Sequence, residues 1–123
     1  MVKTLLYIAI GGALGSVLRY LTTVLVSKYW SHQFPLATFI ANIIGCFLIG
    51  LFVGYLTKNQ LNESQLKWFL VTGLCGGYTT FSTFSMENVT LFQNNNTALA
   101  LGYIALSVLT GLFAVGLGLF IAK

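Results

Sequence analysis

Four long apolar segments, separated by short polar ones, constrain the fold of this chain more than any other feature. They cover residues 4–27, 36–57, 65–92 and 97–122. A helix needs about 20 mostly apolar residues to cross the hydrocarbon core of a bilayer, so each segment is long enough to span it. With 57% hydrophobic and 7% charged residues, the chain has too little charge for a water-soluble surface. The sequence therefore predicts an all-α integral membrane protein, with four transmembrane helices in one domain (residues 1–123).

The segments between these helices are short and polar. They read SKYWSHQFP, TKNQLNESQLK and QNNNT, and we expect turns at the membrane surface that are too small to carry a site. Lys3 before the first apolar segment is also typical of a secretory signal, but that segment continues to residue 27 without a convincing small-x-small cleavage site. We therefore expect a retained first helix.

The charged residues are few but unevenly distributed. The net charge of +4 favours anionic lipid headgroups, nucleic acid or a small anion as partners; because the charges lie in short loops or in the membrane, we do not expect nucleic acid. Four spans place both termini on one side, and that side collects Lys3, Lys58, Lys67 and Lys123. Lys28, and Arg19 if it reaches an end, belong to the other side, so the positive-inside rule favours cytoplasmic termini.

Glycines spaced four residues apart recur in the apolar segments. The pairs are Gly11 and Gly15, Gly50 and Gly54, and Gly73 and Gly77. Such pairs let helix backbones approach closely, where lipid provides no hydrophobic drive for association. We therefore expect tight helix packing along these stripes.

The stretch TGLCGGYTTF predicts a break near the middle of the third helix. Gly73, Gly76 and Gly77 come just before two threonines there, and nonhelical backbone at membrane depth survives only inside protein or beside water. A broken helix frees carbonyl oxygens that can coordinate a hard cation, and half-helix N-termini that favour anions. Residues 76–80 are therefore a candidate ion site. A glycine kink patched by hydroxyl side chains is the alternative.

If the chain returns to helix after the break, one face of it is aromatic. Phe81 and Phe84 lie three residues apart, and Thr80 and Thr83 repeat this spacing beside them. Ring edges attract anions weakly and hydroxyls donate hydrogen bonds to them. This face is consistent with an anion path; simple packing, the commonest reason for two rings at this spacing, is the alternative.

Isolated polar side chains occur in the second and fourth helices. Asn42 lies in FIANIIGC, and Tyr103 and Ser107 lie one turn apart, followed by Thr110 and Gly111. Each side chain is able to line a polar path or to form a hydrogen bond between helices, worth on the order of 1 kcal/mol.

Arg19 and Glu87 are the formal charges well within the predicted spans. Ionisable groups inside a membrane are functional candidates by default, and neither has an adjacent opposite charge in the sequence. Arg19 suits an anion vestibule. Snorkelling to the headgroups, or an ion pair between Arg19 and Glu87, is the alternative.

Three stretches of the sequence carry a resemblance that covers essentially the whole chain. They are GGALGSVLRY, ANIIGCFLIG and, most specifically, TGLCGGYTTFSTFSMEN. In these residues the chain resembles the Fluc (CrcB) family of fluoride channels. The resemblance implies an antiparallel homodimer of four-helix subunits in the cell membrane, with two fluoride pores. It also implies passive export of fluoride from the cytoplasm, which reduces fluoride toxicity.

The resemblance further implies roles for individual residues. Main-chain carbonyls of Gly76 and Thr79 would hold a structural sodium ion at the dimer centre. The fluoride pore would use the rings of Phe81 and Phe84, the amide of Asn42, and polar groups around them. These polar groups are Tyr103, Ser107, Thr83, Arg19 in the vestibule, and Glu87 near a pore end.

Two features depart from the family pattern. The lysine asymmetry is large for a dual-topology protein, so an obligate heterodimer with a second homologous subunit is also open. Gly111 stands where a second pore hydroxyl is expected one turn after Ser107, which leaves Thr110 as the substitute.

Other classes of function fit the sequence less well. A proton-coupled small multidrug-type exporter is the transport alternative. Exporters of that class have their substrate-binding carboxylate in the first helix, where this chain has Arg19 and no acid. A membrane scaffold without transport also remains open. We expect no enzyme, because His32 lies in a loop and no nucleophile, base and orienting group come together. Cys46 and Cys75, in apolar segments, are expected to pack as small hydrophobes rather than bind metal.

Overall fold

The computed structural model describes residues 1–123, which form helices and no strands. Its helices are α1 (Val2–Tyr29), α2 (Leu36–Lys58), α3 (residues 65–78), α4 (Phe81–Gln93) and α5 (Thr97–Ile121). Within α3, a π-helix, Trp68–Cys75, lies between single α-helical turns, Gln65–Lys67 and Gly76–Tyr78. The predicted all-α class is confirmed, and the outer bounds agree with the predicted segments to within two residues.

Three of these helices, α1, α2 and α5, are long and apolar enough to cross a bilayer. Their outward surfaces are apolar: for example, the side chains of Leu5, Leu21, Leu109 and Phe113 are more than half exposed. Exposed apolar side chains of this kind need lipid or another protein as their surroundings. The chain is therefore a multi-pass membrane protein.

Glycine seams hold the helices together, as the G-x-x-x-G spacing predicts. A Cβ on Gly15 would overlap the Leu74 carbonyl oxygen and lie 2.7 Å from the Tyr78 nitrogen. On the facing helix, a Cβ on Gly77 would lie 2.6 Å from the Gly12 carbonyl oxygen. The backbones of α1 and α3 are therefore in direct contact, and any side chain at these positions would force them apart.

A second seam joins α2 to α5. A Cβ on Gly118 would lie 2.7 Å from the Leu51 nitrogen, and one on Gly54 would lie 2.6 Å from the Ala122 Cβ. Lipid gives no hydrophobic drive for this association, so the close van der Waals contact of the backbones is what stabilises the pair. The first seam holds α3 against α1, and the second holds α5 against α2.

Candidate functional site

The chain between α3 and α4 is extended for two residues. Thr79 has φ −85° and ψ 160°, and Thr80 has φ −152° and ψ 121°. Gly76 and Gly77, in contrast, are helical. Glycine flexibility therefore does not produce the extended conformation; the threonines adopt it, and the glycines serve the seam with α1.

Asn42 on α2 holds this extended segment in place. Its side-chain oxygen accepts a hydrogen bond from the Thr80 N–H at 2.8 Å, and its side-chain nitrogen donates to the Thr80 carbonyl at 3.2 Å. One side-chain amide thereby satisfies both backbone groups of Thr80. In a membrane protein such a partner is needed, because lipid tails offer no hydrogen bonds to nonhelical backbone. The second N–H of the Asn42 amide is left over.

Carbonyl oxygens at the end of α3 lose their helical donors at this segment, and those of Gly76 and Thr79 are among them. The Thr80 N–H, which would bond to the Gly76 carbonyl in a continuous helix, bonds to Asn42 instead. The Thr83 N–H bonds to the Thr80 hydroxyl at 3.2 Å, which caps α4 and leaves the Thr79 carbonyl without its donor. The neighbouring Gly77 carbonyl accepts a hydrogen bond from the Arg19 guanidinium at 3.2 Å.

A groove of about 380 Å³ opens beside this segment. Its polar lining comes from Asn42, Thr79, Thr80 and Ser107, and Gly76 and the rings of Phe81 and Phe84 also border it. The Ser107 hydroxyl is buried and has no hydrogen-bond partner. A buried hydroxyl without a partner is costly, so this groove offers a donor that nothing in the chain uses.

Aromatic rings continue from the groove into the subunit. The centroids of Phe81 and Phe84 are 6.0 Å apart, and Phe84 lies 4.9 Å from Tyr103. Phe34, from the segment before α2, packs edge-on against the other side of Tyr103 at 5.2 Å. Tyr103 is fully buried, whereas Phe81 is 79% exposed, so the aromatic row runs from the interior to an open surface.

Glu87 accepts hydrogen bonds on both carboxyl oxygens. The Thr38 hydroxyl donates to one oxygen at 2.6 Å, and the Tyr103 hydroxyl donates to the other at 2.9 Å. This cluster borders a second, more polar cavity of about 340 Å³ that extends toward the loops. Its lining includes Thr83, Glu87 and Thr90, which share one face of α4, together with Gln33, Asn94 and Asn96.

The structure brings most of the predicted site residues together around α4. Phe81 and Phe84 face the groove, Thr83 and Glu87 face the polar cavity, and Tyr103 lies between them. Arg19 lies apart, on the α1 seam, and does not pair with Glu87. The reason is that its guanidinium bonds to Gly77, while both oxygens of Glu87 already have hydroxyl donors.

On α5, the Thr110 hydroxyl differs from the expectation that it substitutes for a hydroxyl at Gly111. The Thr110 hydroxyl donates to the Leu106 carbonyl of its own helix, and Thr110 does not line the groove. Gly111 itself is buried, and a Cβ there would lie 3.5 Å from the Cys46 sulfur. Cys46 and Gly111 therefore pack together, and Ser107 is the α5 hydroxyl that borders the groove.

Sequence reasoning missed Thr38 and Phe34. Thr38 lies four residues before Asn42, on the same face of α2, and this spacing was a usable signal. Phe34 carries no such signal, because its contact with Tyr103 depends on how the loop before α2 folds back. There the Trp30 indole N–H donates to the Phe34 carbonyl at 2.8 Å.

Comparison with known proteins places these residues in a family. The family model described as CrcB-like protein, Camphor Resistance (CrcB), matches residues 6–119. The chain is 60% identical over 121 residues to a protein of Flavobacterium psychrophilum named "Fluoride-specific ion channel FluC", covering 98% of each chain. Proteins of the same name from Azobacteroides pseudotrichonymphae and Gloeothece citriformis are 42% and 43% identical, over 96% and 97% of this chain and 94% and 96% of their own lengths.

Proposed function

The chain belongs to the CrcB family, and on this premise we propose that it is a fluoride-specific ion channel of the cell membrane. It lets fluoride leave the cytoplasm passively, which reduces fluoride toxicity. The observation that carries this function is the full-length similarity to proteins named as such channels, which are not enzymes. The unused hydrogen-bond donors beside the aromatic row give the function a physical basis.

Fluoride is small and strongly hydrated, so a pore must replace several of its water molecules with donors. The Ser107 hydroxyl, the free N–H of Asn42 and the Thr83 hydroxyl are suited to this role. The edges of the Phe81 and Phe84 rings add weak attraction. Weak contacts are an advantage, because an ion that binds too tightly does not leave.

The fluoride path follows α4 from one cavity to the other. An ion in the groove contacts Asn42, Ser107 and the two phenylalanine rings, and then passes Tyr103 to reach the polar cavity beside Thr83 and Glu87. Glu87 stands near that end of the pore, where the hydroxyls of Thr38 and Tyr103 hold its carboxyl group in place. Arg19 serves the aqueous vestibule, where a positive charge raises the local concentration of anions.

The helices α3 and α4 together form one transmembrane span, the third in chain order, which is broken at Thr79 and Thr80. Each is too short to cross a bilayer alone, and their combined length is sufficient. The hydrogen bonds of Asn42 support this arrangement, since they satisfy the nonhelical backbone that such a span requires. The chain then crosses the membrane four times.

The subunit works as an antiparallel dimer. Phe81 is largely exposed at the open side of the groove, so a second subunit is needed to complete the pore wall. A homodimer is the simplest assembly. The lysine asymmetry keeps a heterodimer with a second homologous subunit as the alternative, and liposomes that contain only this protein decide between the two.

A structural sodium ion lies at the dimer centre, held by the main-chain carbonyls of Gly76 and Thr79 from both subunits. The support for this ion is that both carbonyls lack their helical donors, and that neutral oxygen ligands suit a hard cation. Sodium would coordinate these carbonyl oxygens, which carry partial negative charge, and so hold the two broken helices together. Replacing sodium by a large organic cation should lower the thermal stability of the purified dimer; an unchanged melting temperature would exclude the ion.

The experiment that tests the function is fluoride efflux from liposomes containing the purified protein, read with a fluoride electrode beside a chloride control. Rapid efflux of fluoride but not chloride is expected. Absence of efflux from well-folded protein, alone and together with any homologous subunit, would contradict the function.

A further inference from the structure

A groove at the lysine-rich end of the molecule is not used by the fluoride path. It has a volume of about 560 Å³ and lies between α2, α3 and the end of α5. Its lining is Leu51, Phe52, Tyr55, Lys58, Asn59, Leu70 and Ala122. None of these residues contributes to the site around α4, so the groove is available for a separate ligand.

The lining changes from apolar to basic along α2. Leu51 and Lys58 are seven residues apart, which corresponds to about 10 Å along the helix axis. Leu51 and Phe52 lie at the deep end, Tyr55 lies between, and Lys58 and Asn59 lie at the end of the helix. An amphiphile with an apolar tail and an anionic head matches this order of side chains.

Two further lysines are close in the chain to residues that line the groove. Lys67 lies one turn before the lining residue Leu70, and Lys123 directly follows Ala122. Their ammonium groups lie 5.5 Å from the centroids of the Trp68 and Phe120 rings. None of the lining residues is acidic, and Lys58 is the charged residue among them, although Glu63 lies in the loop that joins α2 to α3.

We propose that this groove binds one anionic phospholipid, with an acyl chain along Leu51, Phe52 and Leu70 and the phosphate at Lys58. Charge complementarity selects the headgroup, and the apolar lining places the chain at the depth of the bilayer. Lys67 and Lys123 add attraction from the two neighbouring helices. The site lies at the end of the subunit where the lysines gather, away from the fluoride path.

The two tryptophans of the chain provide a direct test, because they lie at opposite ends of the molecule. Trp68 contacts Lys67 and comes two residues before the lining residue Leu70, and Trp30 follows α1 near Lys28. A Trp30→Phe variant leaves Trp68 as the reporter. It is reconstituted in phosphatidylcholine vesicles that contain brominated phosphatidylglycerol or, at the same mole fraction, brominated phosphatidylcholine, and the quenching of Trp68 is measured.

We expect brominated phosphatidylglycerol to quench Trp68 more strongly than brominated phosphatidylcholine does. The apparent affinity for phosphatidylglycerol should be higher by about fivefold or more. Lys58→Gln in the same background should lower this preference about fivefold, whereas the matched Lys28→Gln change should leave it unaltered. A Trp68→Phe variant, which reports from Trp30, should show no such preference. Fluoride efflux from each variant confirms that the protein is folded.

A charge-neutral variant separates the groove from diffuse attraction to the lysines. Leu70→Phe fills part of the groove and keeps every charge, so it should weaken the preference if a lipid chain occupies the groove. A preference that survives Leu70→Phe in full would overturn the proposal and leave only attraction at the membrane surface. Equal quenching of Trp68 by both brominated lipids in the Trp30→Phe variant would also overturn the proposal. That result is expected if a second copy of this chain covers the groove.

Discussion

The helices α3 and α4 are neighbours in the chain, yet they contact the rest of the molecule in opposite ways. α3 presents Gly73 and Gly77 to α1, and its backbone lies against the backbone of that helix. α4 has hydroxyl and carboxyl side chains and contacts its neighbours through hydrogen bonds and rings, while Phe81 and Met86 remain exposed. Two regions separated by two residues therefore differ in what they contribute: α3 supports the fold through backbone contact, and α4 carries the aromatic and polar groups to which we assign transport.

The largest effect is expected on the α3 side of this comparison. Gly15→Leu places a side chain where even a Cβ overlaps the Leu74 carbonyl, so α1 and α3 must separate. We expect destabilisation of about 3 kcal/mol or more and little folded protein, measured as the monodisperse fraction in detergent and as the melting temperature.

Gly116→Leu is the matched control for this substitution. Its Cβ would meet no atom within 4 Å, so the same change in side chain should leave the subunit folded. A Gly15→Leu protein that melts at the wild-type temperature would contradict the conclusion that the contact between α1 and α3 stabilises the fold.

Asn42→Ala acts at the junction of the two regions, and its effect should appear in both stability and transport. It leaves the Thr80 N–H and carbonyl without partners, at a cost of about 2–4 kcal/mol. It also removes a donor to fluoride, and hydrogen bonds to charged groups are worth about 1.5–3 kcal/mol, so efflux should fall about 10- to 100-fold. The fluoride electrode and thermal melts measure the two effects.

Asn62→Ala, in the loop after α2, removes an exposed amide and should alter neither quantity. Unchanged efflux in Asn42→Ala would assign Asn42 to packing alone, and would restrict the transport role to α4 and α5.

Ser107→Ala should separate transport from stability. The hydroxyl is buried without a partner, so its removal should leave the melting temperature unchanged or slightly raised. Efflux should fall about tenfold, because one donor to the ion is lost. Both quantities are measured on the same reconstituted preparation.

Thr110→Val is the control on the same helix, because the Thr110 hydroxyl bonds to its own helix. It should conduct like the wild type. A loss of efflux in Thr110→Val, with none in Ser107→Ala, would reverse the assignment of the α5 pore hydroxyl.

The sequence predicts the two regions unequally well. Helix bounds and glycine seams follow from apolar length and G-x-x-x-G spacing, which are local properties, and the structure agrees with them. The spacing of Phe81 and Phe84 also places both rings on one face of α4, beside the groove. These features depend only on the period of a helix.

Features that depend on contacts between helices could not be predicted in the same way. The extended conformation falls on Thr79 and Thr80 rather than on the glycines because Asn42, 38 residues away in the chain, satisfies the Thr80 backbone. The hydroxyl donors of Glu87 come from α2 and α5, and no local pattern links those three residues. The polar cluster therefore required the tertiary structure.

The smallest effect is expected at the outer edge of α4, where transport should change and folding should not. Phe81 is 79% exposed, so Phe81→Ile removes almost no packing within the subunit, and Phe84→Ile keeps an apolar side chain against Tyr103. Each change removes an aromatic edge worth about 1 kcal/mol, so efflux should fall about fivefold while the dimer stays intact by size-exclusion chromatography. Phe113→Ile, at a position 70% exposed on α5, should conduct normally. Normal efflux in both Phe81→Ile and Phe84→Ile would refute a conducting role for the rings, and would leave the hydroxyl and amide donors as the whole of the fluoride path.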